Sequence, residues 1–317
     1  MKIELMNNFS IAIHGGAGTI LKKDMTSEKE VMYKKILKEA LDAGIKILEK
    51  KGSSVDAVEQ AIIVLENSPL FNAGKGSVFT NKETHEMDAA IMEGKEKKAG
   101  AISLVSQIKN PISLARKVME KSEHVFLAGE GAMEFAKLNN CEMESEEYFY
   151  DEYRYKQLLS VKETNSFQLD HFSMKDKKFG TVGAVALDSF GNIAAATSTG
   201  GMTNKKFGRI GDSPIIGSGT YANNSTCGIS CTGSGEFFMR AVVAYDVSCL
   251  MEYKNLSLQE ACDTVIHNRL LKIGGDGGLI AVDKNANICF SFNTEGMYRG
   301  YALSNGKIFI GIYKDDN

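Results

Sequence analysis

Hydrophobic positions first recur at helical spacing. Between Ser27 and about Lys51, the residues Val31, Ile36, Leu37, Leu41, Ile45 and Leu48 fall on one face of a 3.6-residue repeat, which predicts an amphipathic helix. Ser27 and Glu30 stand at capping-box spacing, and Gly52 is placed to stop the helix. Ser53 or Ser54 then caps a second helix through Val58, Ile62 and Leu65. Downstream, MDAAIM (87–92) and AGAISLV (99–105) read as short strands, and PISLARKVMEK, opening on Pro111, reads as a helix. A strand, HVFLAG, and a helix, GAMEFAKL, follow.

From Cys141 to Gly180 the periodicity dissolves. Acidic and aromatic residues in EMESEEYFYDEYRY give way to polar VKETNSFQLDHFSMKDKK, the pattern of a partly helical linker that becomes mobile. The character then changes sharply to TVGAVALD and NIAAATS, two small-residue strands joined by a tight turn at Ser189-Phe190-Gly191. Beyond them come a strand around GISCTG, two helices (EFFMRAVVAYDVSCLMEY and LSLQEACDTVIHNRLL) and the strands GLIAVD, NICFSFN and KIFIGIY. Strands and helices occur in blocks in both halves. Such blocks favour an α+β fold of two packed sheets with helices outside, an αββα sandwich, over βαβ winding.

At 317 residues and 43% hydrophobic content the chain can bury a full core, as one large domain or two modest ones. The formal net charge is -3 with Lys and Arg scattered, so nothing electrostatic points to nucleic acid or an anionic membrane, and a small-molecule or peptide substrate is expected. The cysteines Cys141, Cys227, Cys231, Cys249, Cys262 and Cys289 form no Cys-x-x-Cys pair and read as reduced, mostly core residues. The N-terminal MKIELMNNFSIAI lacks a small-residue cleavage site, and no run approaches the roughly 18 apolar residues of a membrane span, so a cytoplasmic protein is expected.

The junction of linker and strand carries the chemistry. A Gly180-Thr181 pair there feeds a hydroxyl into a buried strand, although by itself it could be a threonine opening a β-strand. Six segments lift it above that: IHGGAGT at 13–19, LENSPLFNAGKGSVFT at 65–80, GTVGAVALD at 180–188, TSTGGMTNKKFGRIGDSPIIGSGTYANN at 197–224, SCTGSGE at 230–236 and FNTEGMYRG at 292–300. In this order they resemble the plant-type asparaginase and isoaspartyl peptidase family of N-terminal-nucleophile hydrolases. The resemblance implies a four-layer αββα sandwich of that type, one domain over 1–317, cut at Gly180–Thr181 into an α subunit (1–180, with 141–180 as linker) and a β subunit (181–317).

It also implies roles. Thr181 is the nucleophile, and its freed α-amino group, with a reference pKa of about 7.7–8.0, serves as its own general base. Gly180 suits the cut, since without Cβ its carbonyl is open to attack. Thr199 orients the nucleophile, while the Thr232 hydroxyl and the Gly233 N–H form the oxyanion hole. Arg209 clamps a substrate α-carboxylate and Asp212 its α-ammonium, with the Gly235 backbone beside them. Asn72 supports processing or substrate binding. The carbonyls of Leu65, Glu66, Ser68, Phe71, Ala73 and Lys75 hold a structural Na⁺, and catalysis needs no cofactor. Two processed precursors associate as an (αβ)₂ homodimer.

Substrates implied are N-terminal β-aspartyl dipeptides and L-asparagine; ordinary α-peptides leave Arg209 without its carboxylate. A glycosylasparaginase is disfavoured because that relative has Asp where Gly180 stands. The related threonine protease acting on protein substrates is disfavoured because its extra recognition segments are absent, and a noncatalytic binding protein because every key group is present. Three other signals carry little weight. His85, Glu86 and Asp88 lack the second His of a helical zinc motif. The HGG of IHGGAG has no Gly-x-Ser-x-Gly elbow to serve. GSGTYA (217–222) lacks a following helix.

Overall fold

The computed structural model describes residues 8–18, 20–163 and 180–316. The polar half of the expected mobile linker, 164–179, lies outside the described residues, as do residues 1–7.

The chain opens on β1 (Ser10–Gly18), then α1 (Ser27–Glu49) and α2 (Ser54–Glu66). The capping-box expectation at α1 is corrected: Ser27 is already helical, and Thr26 caps by accepting from the Lys29 N–H at 3.3 Å. Ser53 caps α2 through the Asp56 N–H. There follow β2 (Met87–Glu93), β3 (Ala99–Val105), α3 (Pro111–Lys121), β4 (Phe126–Ala128) and α4 (Gly129–Leu138). The first half of the linker holds α5 (Glu146–Phe149) and α6 (Glu152–Glu163), pinned where Lys162 and Tyr155 meet Glu83 and where Phe79 packs edge-on against Tyr150 and Tyr155.

The second half runs β5 (Val182–Leu187), β6 (Ile193–Thr199), β7 (Thr220–Ala222), β8 (Cys227–Gly233), α7 (Gly235–Ala241), α8 (Val243–Lys254), α9 (Leu258–Asp263), a π-helical stretch Thr264–Leu270, β9 (Gly277–Asp283), β10 (Ile288–Phe292), β11 (Gly296–Leu303) and β12 (Ile308–Tyr313). The single helix expected over EFFMRAVVAYDVSCLMEY is broken at Val242, which adopts φ 48°. The break frees the N–H groups of Ala244 and Tyr245 to donate to the carbonyls of Ser218 and Gly217, which dock that loop onto the start of α8.

Eight strands form one sheet in the order β12-β11-β1-β5-β6-β2-β3-β4, and four form another, β10-β9-β8-β7. Helices α1 and α2 pack on β1, β5 and β6, and α3 on β2 and β3; α7, α8 and α9 pack on the small sheet; β1, β5 and β6 also meet β8 and β9. The two-residue pleat sorts the side chains. Along β1, Ile11 and Ile13 join the core beneath α1 and α2, whereas Ala12 and Ala17 join the core shared with the second sheet. Ala184 and Ala186 against Val185 and Leu187 on β5, and Ala194 and Ala196 against Ile193 and Ala195 on β6, repeat the division. Among the described residues no helix is long and apolar enough to cross a membrane, and all six cysteines are free thiols.

Candidate active site

The same pleat places a polar cluster between the sheets. Thr199 shares the face of Ile193 and Ala195 at the end of β6, and Thr181 stands one residue before β5, which pairs with β6 as Val182↔Ser198. The Thr181 hydroxyl, 8% exposed, donates to Thr199 Oγ1 at 3.1 Å, and Thr199 Oγ1 also accepts from the Gly201 N–H at 3.0 Å. Thr199 therefore has one lone pair fixed by backbone and another aimed at Thr181.

Gly180 is held from the other side. Its carbonyl accepts the Asn72 N–H at 2.9 Å, so the bond expected to break is already polarised by a donor. A Cβ on Gly180 would lie 2.5 Å from the Asn72 Cβ, which explains why glycine stands there. The Asn72 side chain donates to the Gly201 carbonyl at 2.7 Å and accepts the Val78 N–H at 3.0 Å, tying its loop to the end of β6.

On β8, Ser230 and Thr232 share the face turned toward the large sheet. Thr232 Oγ1 accepts the Ala17 N–H at 3.3 Å. Gly233 follows where a side chain could not fit, since a Cβ would meet the Asp276 carbonyl oxygen at 2.4 Å.

Arg209, Asp212 and Gly235 come together. A Cβ on Gly235 would be 2.8 Å from Asp212 Oδ1 and 2.9 Å from Arg209 Nη2, so bare backbone lines the gap between the two charges. Asp212 is buried, its Oδ2 has no hydrogen-bond partner among the described residues, and desolvation pushes its pKa up to about 7 against the lowering effect of Arg209. Arg209 is not waiting empty: its Nε and Nη2 donate to the two carboxylate oxygens of Glu236 at 2.8 and 2.9 Å. The sequence reading missed Glu236. It stands in the quoted SCTGSGE, but nothing in its spacing tells that its carboxylate reaches the guanidinium.

A second missed residue is His14, met in the sequence only as the histidine of the HGG that has no Gly-x-Ser-x-Gly elbow to serve. It is fully buried, with Nδ1 at 3.1 Å from the Thr181 carbonyl and Nε2 at 3.0 Å from Ser230 Oγ, and desolvation pushes its pKa down to about 3. A ring so held is neutral and takes up no proton near pH 7.

From the end of α2 to Lys75, the carbonyls of Leu65, Phe71 and Ala73 each accept at least one backbone N–H. Those of Glu66 and Phe71 face glycines: a Cβ on Gly74 would meet the Glu66 oxygen at 2.5 Å, and one on Gly76 the Phe71 oxygen at 2.1 Å. Three of the six carbonyls expected to hold Na⁺ are thus already hydrogen-bond acceptors from the backbone. The Glu66 side chain is buried beneath β6, accepting from Ser198 Oγ at 2.6 Å and the Ile112 N–H at 3.0 Å, and desolvation pushes its pKa up to about 8. His85 and Asp88, set aside as metal ligands, are buried at the entrance of β2, where Ser77 Oγ lies 3.1 Å from His85 Nδ1 and Asp88 accepts the Leu104 N–H at 3.0 Å. GSGTYA leads into β7 and β8 rather than a helix.

A buried threonine hydroxyl behind a polarised glycyl carbonyl, in a fold that also brings Arg209 and Asp212 together around Gly235, has the layout of an amide-bond hydrolase. Residues 7–312 match the family described as asparaginase. The isoaspartyl peptidase of Escherichia coli K12 is 50% identical over 313 residues, covering 98% of each chain. The probable isoaspartyl peptidase/L-asparaginase 2 of Arabidopsis thaliana is 43% identical, covering 98% of this chain and 100% of its own. The human isoaspartyl peptidase/L-asparaginase is 40% identical, covering 96% of both. The chain belongs to the asparaginase family.

Proposed function

We propose that this chain is a precursor that cuts itself between Gly180 and Thr181 and then hydrolyses N-terminal β-aspartyl dipeptides and the side-chain amide of L-asparagine. The names of its relatives support the substrates. The observation that carries the reading is the placement of Thr181, whose hydroxyl meets Thr199 at 3.1 Å while the Gly180 carbonyl meets the Asn72 N–H at 2.9 Å.

In the first reaction Thr181 Oγ attacks the Gly180 carbonyl carbon, its proton passes to the Thr181 nitrogen, and the C–N bond breaks to leave an ester. Water opens the ester, giving a Gly180 carboxylate and a free Thr181 hydroxyl and α-amino group. In the second, that amino group takes the hydroxyl proton as Oγ attacks the β-carbonyl of the substrate. The Thr232 hydroxyl and the Gly233 N–H receive the developing oxyanion. The proton passes to the departing amine or ammonia, and water then releases aspartate from the Thr181 ester. Arg209 takes the substrate α-carboxylate in exchange for Glu236, and Asp212 takes the α-ammonium, with Gly235 leaving room between them.

The packing of two sheets between outer helices supports a single αββα sandwich of the N-terminal-nucleophile type. Na⁺ fits the carbonyls of Leu65, Glu66, Ser68, Phe71, Ala73 and Lys75, where its charge would hold the loop bearing Asn72 in shape. An (αβ)₂ dimer in the cytoplasm completes the reading. Parallel assays on a β-aspartyl dipeptide and on L-asparagine test the specificity: release of aspartate from both is expected, and release from neither would overturn it.

A further inference from the structure

The IHGGAG segment takes no part in either reaction, yet its histidine meets the backbone carbonyl of Thr181. The ladder between β1 and β5 ends at His14↔Gly183. The Thr181 carbonyl lies beyond it, and its hydrogen bond comes from the His14 ring at 3.1 Å. We propose that His14 is a positioning residue, whose Nδ1–H, oriented by a one-way chain of buried hydroxyls, fixes Thr181 once cleavage has cut its tether to Gly180. The inference rests on Thr181 being the nucleophile.

The proton count sets the direction of the chain. A carbonyl can only accept, so Nδ1 carries the hydrogen, and in a neutral ring Nε2 must then accept. Ser230 Oγ, 3.0 Å away, donates its one proton to Nε2. Ser230 therefore accepts from Thr197 at 2.6 Å, and Thr197 from Thr220 at 2.6 Å, the carbonyls of Gly219 and Ser213 at 3.3 and 3.0 Å competing for the same two protons over longer contacts. His14, Ser230, Thr197 and Thr220 are all fully buried, so water cannot substitute for any link. Burial also keeps the ring neutral, with its pKa pushed down to about 3.

The strand opposite is bare where the chain passes. A Cβ on Gly183 would lie 2.0 Å from Ser230 Oγ and 2.2 Å from His14 Nε2, so only glycine leaves room for their contact. Past a bulge on β1, the Ala17 N–H reaches Thr232 Oγ1 at 3.3 Å. One strand thus holds both the nucleophile and the oxyanion hydroxyl.

The test combines nitrogen-15 NMR of histidine-labelled, processed protein at pH 7.5 with kinetics of two variants. The expected tautomer of His14 is Nδ1–H with Nε2 bare. His14→Phe keeps the ring volume and removes the donor, and kcat on a β-aspartyl dipeptide should fall about a hundredfold, the scale of a misplaced reacting group, with KM changed less than about threefold. His14→Asn, with an N–H near the place of Nδ1, should recover about tenfold of that loss. An Nε2–H tautomer, a charged ring, a kcat within about twofold of wild type in His14→Phe, or a loss spread equally over kcat and KM would overturn the proposal. If His14→Phe does not fold or is not processed, the wild-type tautomer decides. A wild-type protein that neither cleaves itself nor turns over substrate would instead sink the functional reading beneath it.

Discussion

At the scale of single residues, Asp212 makes the sharpest demand. Desolvation pushes its pKa up to about 7, and it must be ionised to hold an α-ammonium. Because the Thr181 α-amino group must also be unprotonated, log kcat/KM for a β-aspartyl dipeptide should fall below about pH 7 with a slope approaching about two, and Asp212→Asn should lose most of the activity while keeping the one-proton limb of the amine. A pH profile of kcat/KM checks it; a wild-type limb that keeps a slope of about one down to about pH 5 would mean that Asp212 is already ionised there and its carboxyl is not pushed up. Thr181, Thr199, Arg209, Asp212 and Thr232 could be singled out as candidates because each sits in a long, ordered motif. Glu236 and His14 were not, because their roles come from a partner that folding supplies: Arg209 lies on a loop 27 residues earlier, and the Thr181 carbonyl lies 167 residues beyond His14. Neither spacing carries a rule.

At the scale of elements, close approach limits what the sequence tolerates. Gly44 in α1 faces β1 and α2: an added Cβ would lie 2.3 Å from Ile11 Cδ1 and 3.0 Å from the Ala57 carbonyl oxygen. The isoleucine tip can rotate away but the carbonyl cannot. Gly44→Ala should destabilise the protein by about 1–3 kcal/mol despite the better helix propensity of alanine, read as a lower urea midpoint. An unchanged or higher midpoint would show that the two helices separate freely.

Helices with one apolar face, such as α1, and α3 with Pro111 at its start, could be read from their pattern. β11 could not, because it carries Arg299 in a buried strand. The guanidinium lies 5.0 Å from the ring centre of Phe292 and 5.4 Å from that of Phe309, and it donates to the carbonyls of Met297, Tyr313 and Asp316. A charge so accommodated breaks the alternation that marks a strand. The turn at Val242 was hidden for the opposite reason, since a β-branched residue gives no local signal for a left-handed conformation.

For the whole molecule, block order in the sequence favoured two sheets, but strand order was beyond it. β1 pairs with β5 and β11, and β3 with β4 in parallel, through contacts that no local pattern encodes. Buried ionisable groups in this frame give stability a definite pH dependence. The folded-state pKa values of Glu66 and Asp212 are pushed up to about 8 and 7, so the folded state holds protons that the unfolded state has released. Their stabilising contribution is present at low pH and lost as pH rises through those values. His14 and His85, pushed down to about 3 and 4, act oppositely, but only below their ordinary pKa of about 6.5. In the uncut Thr181→Ala precursor the urea midpoint should therefore fall between pH 6.5 and 8 and level off above; a midpoint that rises across this interval would contradict these assignments.

The nucleophile itself is tested most directly by the intact mass of the purified protein after prolonged incubation, with Thr181→Ala alongside. The wild type should resolve into two species, residues 1–180 and a fragment beginning at Thr181, while the variant stays whole and inactive. A wild-type chain that remains a single species of 317 residues and still hydrolyses a β-aspartyl dipeptide would contradict the account.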